Sequence, residues 1–425
     1  FRSQAATAAS SVDSKLELQA LINAAALQAI QDQSAALIAQ YGEAGATSVP
    51  TVADYLAAGV IGVDANNIAA VNAFVQSLSV TATDTRAELQ AIADAVAKLA
   101  NGADGAANGT ANLTATDINA LGGAAATGSA AEIALFNSIV DGLAYGDVNT
   151  QAEIENIARI VDAIALIAAG GTASPALTPA DFALVGIVGV TTSPNGGNMA
   201  AMLNQIAATA DNGTGIDSLG ELSTLVTAAN EVAVRDNALA TLIAYTGANG
   251  QTAPTSTIYA EAQVTGVSGL NVAAIDSLIA SLPSTAKDST AEIQAVVDAY
   301  AKVYSLADSS AGSASSGALS ASEFATLGLS TIDTAAELAI MNGFLDTSSA
   351  AAIDTAAELS AMAAAAAKLA ATAAVTPPAA LPDPGLTVAD LQALGMNGVT
   401  ADNLAAIINA IAATANNGTG ADTKA

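Results

Sequence analysis

Pairs of acidic or amide side chains four residues apart recur along this chain: Asp13 with Glu17, Asp84 with Glu88, Asn149 with Glu153, Asp217 with Glu221, Asp288 with Glu292 and Asp354 with Glu358. Two carboxylates at that spacing share one side of a helical turn, where they could hold a cation or carry acid–base chemistry. The plainer role is structural: the leading Asp or Asn caps a helix and the Glu faces the positive end of its dipole. An enzyme needs one singular site, whereas this pair is spread through the chain. Asp13, Asp84, Asn149, Asp217, Asp288 and Asp354 are therefore read as helix caps. A further copy, Asp333 with Glu337, falls out of register with the other six, which again points to architecture.

A second polar set sits inside apolar stretches: Asn72, Asn137, Asn204, Asp276, Asn342 and Asn409. At about 100° per residue, Asn72 lies beside Ile68 and Val75, on or at the edge of an apolar stripe. A polar group there costs free energy unless it is hydrogen-bonded. One reading has these six bonding to a neighbouring helix or repeat and fixing how units dock. The other leaves them solvated at the stripe edge. Gly-rich loops around Asp104, and from Asp211 to Asp217, share the composition of calcium loops but not their regular acidic spacing or terminal bidentate Glu. Asp104, Asp211 and Asp217 are the calcium candidates, against a plainer reading of Gly helix ends followed by caps. No cofactor is required.

Composition removes much else. The chain of 425 residues contains no Cys, His or Trp, so it has no disulfides, no thiolate or imidazole metal ligands and no Ser-His nucleophile pair. A net charge of −29 repels phosphate backbones, and no nucleic-acid partner is expected. The residues are 52% hydrophobic, yet no stretch runs to about 18 apolar residues, so no transmembrane segment is expected. The chain opens on Phe1 rather than Met, as a processed product or part of something longer would.

The elements that carry these residues repeat. The Asp/Asn motifs are spaced by 71, 65, 68, 71, 66 and, to a cut-off copy at Asp422, 68 residues. The interval series itself recurs, so a unit of about 204 residues occurs twice. Tyr41 and Tyr245, Pro50 and Pro254, and Lys98 and Lys302 each lie 204 apart. The expected fold is all-α, with tandem three-helix repeats of about 68 residues grouped into two 204-residue super-repeats. The boundaries fall at 1–12 (end of a preceding repeat), 13–83, 84–148, 149–216, 217–287, 288–353, 354–421 and 422–425 (start of a further repeat).

Helix A begins at the motif. A short helix B opens on a capping box at Thr51/Asp54, Thr114/Asp117, Thr178/Asp181, Ser320/Glu323 and Thr387/Asp390. Helix C carries the buried-looking Asn or Asp. Nearly all basic residues fall on or near helix A, which makes its face the expected place for charge pairing between units. Ala-rich units of this size are marginal alone, so stacking on one another is expected.

The stretches Asp-Thr-Arg-Ala-Glu-Leu-Gln at 84–90, Leu-Thr-Val-Ala-Asp-Leu-Gln-Ala-Leu-Gly at 386–395 and Gly-Val-Thr-Ala-Asp-Asn-Leu at 398–404 resemble helical repeats of very large secreted bacterial surface proteins, including type I secreted adhesins and surface-layer-like proteins. The resemblance covers nearly the whole chain and implies an extracellular or cell-surface location, a structural or adhesive role, and in many relatives calcium dependence. No Asp-rich nonapeptide calcium repeat accompanies it, and it transfers no site residue. The expected function is a non-enzymatic building block of an extracellular assembly (surface layer, sheath, filament or adhesin stalk) that self-associates with further repeats or identical chains. The alternative is a set of three-helix modules that bind a ligand or host protein. Such a binder is expected to show an aromatic or Arg cluster, and the 6 Phe and 7 Tyr are scattered.

Overall fold

The computed structural model describes residues 14–43, 48–192, 197–209, 216–308, 317–374 and 385–413. Among them the secondary structure is helical, with no strand and two isolated antiparallel bridges, Asp104 with Ala144 and Asp308 with Ser349.

The α-helices follow one order of lengths six times: long, short, medium. They are α1 Lys15–Ala39, α2 Val52–Ala57 and α3 Ile68–Ser77; α4 Arg86–Gly102, α5 Ala115–Ala120 and α6 Ala130–Gly142; and α7 Gln151–Ala168, α8 Pro179–Leu184 and α9 Met199–Ala208. After these come α10 Leu219–Ala244, α11 Ser256–Glu261 and α12 Val272–Ser281; α13 Thr290–Leu306, α14 Ala321–Thr326 and α15 Ala335–Asp346; and α16 Ala356–Ala373, α17 Val388–Ala393 and α18 Leu404–Ala412.

The long helices start one residue later than the spacing of four suggests. Ser14, Thr85, Thr150, Ser289 and Thr355 are the N-caps of α1, α4, α7, α13 and α16, each in a reciprocal box with the Glu three residues on. At α10 the same bonds join Ser218 and Glu221. The expected caps Asp84, Asn149, Asp217, Asp288 and Asp354 therefore each stand one residue before the cap, and Asp13 lies outside the described residues. The reason is reach: the box closes only when hydroxyl and carboxylate are separated by three residues. The five boxes expected at the short helices form at Thr51, Thr114, Thr178, Ser320 and Thr387. Ser129 with Glu132 and Thr334 with Glu337 add two more, on α6 and α15.

Each short helix is too brief to be stable by propensity and is held by one large buried residue: Tyr55, Ile118, Phe182, Tyr259, Phe324 or Leu391. Long helices add closely packed alanines, as in α16, where Ala363, Ala365 and Ala366 are buried. The chain forms two compact units, Phe1–Ala233 and Val234–Ala425, the division falling within α10. Each unit has its own core. No helix among the described residues is long and apolar enough to cross a membrane.

Candidate functional site

The polar residues of the medium helices are joints. Asn72 on α3 accepts the Tyr55 hydroxyl hydrogen at 2.7 Å and donates to the Pro50 carbonyl at 2.9 Å. Asn137 on α6 accepts from Leu113 N–H at 2.7 Å and donates to Leu113 O at 2.8 Å. Asn342 on α15 makes the same pair with Leu319, at 2.7 and 3.0 Å. Pro50, Leu113 and Leu319 each immediately precede the cap of a short helix, so one amide ties the medium helix to the start of the short one. Asp276 on α12 accepts from Tyr259 at 2.7 Å. Burial pushes its carboxyl above the usual range, against the Tyr259 hydrogen bond that favours the charged form. Burial and the adjacent Asp276 push the Tyr259 hydroxyl up as well.

Asn204 and Asn409 do not join this set: both are exposed, and their side chains make no hydrogen bond among the described residues. The cause is helical phase. Asn72 and Asp276 lie five residues beyond the N-caps Asn67 and Asn271 of α3 and α12, whereas Asn204 and Asn409 lie six beyond Asn198 and Asn403. One residue is about 100° of rotation, which turns these two side chains away from the short helix.

Those four N-cap asparagines form a second joint that the sequence reading missed. Each side chain donates to a glycine carbonyl in the preceding turn: Asn67 to Gly62 at 2.7 Å, Asn198 to Gly189, Asn271 to Gly266 and Asn403 to Gly398 at 2.8 Å. Each also accepts a backbone N–H, from Asp64, Thr191, Ser268 and Thr400 respectively. The four glycines have φ between 80° and 90°, a left-handed conformation that excludes most other residues. A Gly followed by an apolar residue and then an Asn before helix C was the available signal. Variable spacing hid it, because Asn198 lies nine residues from its glycine and the others five.

Cations of the long helices reach the box acids of the following short helices. Lys98 meets Asp117 at 2.6 Å and Lys368 meets Asp390 at 2.8 Å, while Arg159 pairs with Asp181 and Lys302 with Glu323. The Lys302 ammonium and the Ser320 N–H hold Glu323 down at about 2. Helix A cations, expected to serve pairing between units, are thus engaged next door in four instances. Arg235 pairs with its neighbour Asp236 instead; Ile258 occupies the box-acid position of the short helix α11. Lys287 is buried and donates to the carbonyls of Tyr245 and Ile279, at 2.6 and 2.7 Å. The second is in the last turn of α12, a favourable place for a cation. Burial lowers its pKa.

Asp141 anchors the loop after α4. It is 4% exposed and accepts from the N–H groups of Gly109 and Thr110 at 2.7 and 2.8 Å, the Thr110 hydroxyl at 3.0 Å and Ala111 N–H at 3.3 Å. Burial pushes its pKa up, but these donors outweigh it and hold the carboxyl below its usual range.

The calcium candidates are not brought together. Asp104 accepts from Ala106 N–H at 2.9 Å and the Asn108 amide at 2.8 Å within its own exposed loop. Asp217 lies beside Glu221, its pKa raised by burial and by that neighbour. Asp211 lies outside the described residues. Among the described residues no three carboxylates gather as a metal site would need. The second unit carries a groove of about 870 Å³ between α12 and α16, lined in part by Tyr245, Asp276, Ser277, Leu282 and Ser360. No protein-family model, curated protein or solved structure matches this chain.

Proposed function

We propose that the chain is a structural building block of an extracellular bacterial assembly, such as a surface layer, sheath, filament or adhesin stalk. It is built from six tandem three-helix units of about 68 residues in two 204-residue super-repeats. The observation that carries this reading is the recurrence of the same joints. A long-helix cation clasps the next short helix four times, and an asparagine pins the turn before a medium helix four times. Polar chemistry is spent on joining helices, at equivalent places along the chain, rather than gathered at one site. Placement outside the cell rests on the resemblance to secreted surface repeats, and the strong acidity favours screening by divalent cations such as calcium. Electron microscopy of the native material tests the reading: ordered arrays or filaments are expected, and isolated monomers overturn it.

The groove beside Asp276 favours a second reading, a module that binds a small polar ligand. Recovery of a ligand bound to natively purified protein, lost on substituting Ser277 and Ser360, would decide for it.

A further inference from the structure

The first half of α10, residues 219–233, belongs to the first unit and closes its core. Leu222, Val226 and Ala229 are 0, 6 and 0% exposed, at the spacing of one helix face. This face covers α9 and the turn before it. Asn198 donates to Asn230, Val226 packs against Gly189, and Leu219 N–H donates to Ser138 on α6 at 2.9 Å. Beneath this cover Asn198 and Met202 are 2 and 0% exposed.

The 204-residue period supplies both partners a second time. On α1, Leu18, Ile22 and Ala25 stand where Leu222, Val226 and Ala229 stand on α10, but Leu18 and Ile22 are 42 and 43% exposed. On α18, Asn403 and Ile407 stand where Asn198 and Met202 stand on α9. The Asn403 turn makes the same bonds to Gly398 and Thr400, so the bed is already formed. Yet Asn403, Ile407 and, in the turn, Met396 and Val399 are only half-buried, whereas their counterparts Ile187 and Val190 are buried. Among the described residues, α1 has a half helix without its bed and α18 is a bed without its half helix.

We propose that these two faces form one junction: the first half of α1 in one copy of the chain docks on α18 and the 396–403 turn of a second copy, head to tail. It reproduces between copies what residues 219–233 and α9 do within the first unit. Such a contact joins two different surfaces, so it leaves a free face at each end and extends into a string of copies. It deepens the assembly reading by naming the partner and both contact surfaces.

Charge-neutral substitutions test it. Leu18→Gln with Ile22→Gln disables the head, and Ile407→Gln disables the tail. Sedimentation velocity on the full chain is expected to show wild type growing with concentration, with either variant alone about tenfold or more weaker in self-association. Mixed in equal amounts, the two variants should form a dimer that does not grow further, since each retains the face the other has lost. That dimer would also show both variants folded. If wild type assembles and both variants assemble equally well, the junction is wrong and assembly uses other faces. Wild type that stays monomeric while the native material shows ordered arrays also overturns the junction and leaves the assembly reading standing.

Discussion

Tyr259 gives its hydroxyl hydrogen to Asp276 at 2.7 Å, as Tyr55 gives its own to Asn72 at the same distance 204 residues earlier. The two joints differ in what the acceptor can do with its other atom. Asn72 has an amide hydrogen for the Pro50 carbonyl, and an ionised Asp276 has none for Pro254, which holds the same place before Thr255. Burial accordingly raises the Asp276 pKa. A carboxyl raised in the folded state contributes stability below its ordinary pKa and loses it as pH climbs through the raised value. Asp276→Asn is expected to stabilise the chain by about 1 kcal/mol at neutral pH. The gain should vanish below the ordinary Asp pKa of 3.8, in urea unfolding at both pH values. An equal gain at both, or a loss at neutral pH, contradicts this.

Asp141 works in the opposite sense. Its hydrogen bonds hold the carboxyl below its model value of 3.8, so its contribution is present above that value and lost as pH falls through the depressed one. Asp141→Ala leaves the donors of the 109–111 loop without an acceptor and should cost about 2 kcal/mol at neutral pH. The variant should also lose part of the wild-type acid sensitivity in a pH series of unfolding midpoints.

At the start of α4 the capping bonds belong to Thr85 and Glu88, not to Asp84. Thr85→Ala is expected to cost about 1 kcal/mol, and Asp84→Ala only the smaller helix-dipole term of about 0.3 kcal/mol or slightly more. Thermal unfolding of the two variants side by side distinguishes them, and a larger cost at Asp84 would restore it as the cap.

The same comparison shows what was legible beforehand. Periodicity located the helices, and the hydroxyl–acid spacing of three located the short-helix caps, because both depend on contacts within a few residues. That spacing was also present at Thr85 and Glu88, and the conspicuous Asp84 drew the eye one residue too far. Asn137 and Asn342 were found as candidates by their apolar neighbours. Their partners, Leu113 and Leu319, are 24 and 23 residues away, beyond what a local pattern reports. Asn204 and Asn409 looked identical to them, because phase counted from the Asn cap is visible only once that cap is known. The contrast between Leu18 and Leu222 was hidden altogether: equivalent residues in equivalent helices differ only in what covers them.

Ionic strength should act on the junction in a definite direction. Copies that each carry −29 repel one another at low salt, and the screening length shrinks from ~30 Å at 0.01 M to ~8 Å at 0.15 M. Self-association is therefore expected to strengthen with added sodium chloride in light scattering over that range. Weakening over the same range would mean that charge attraction, rather than apolar contact, holds copies together.

Because the chain has no Cys, the head-to-tail junction can be read directly by placed thiols. Asn198 and Asn230 touch within the first unit, and their counterparts across the period are Asn403 and Ala26. Single variants Ala26→Cys and Asn403→Cys, mixed and treated with a short bis-maleimide, should give a covalent dimer containing one of each. Neither variant alone should cross-link efficiently. A mixture that yields no more dimer than its separate components would contradict the account.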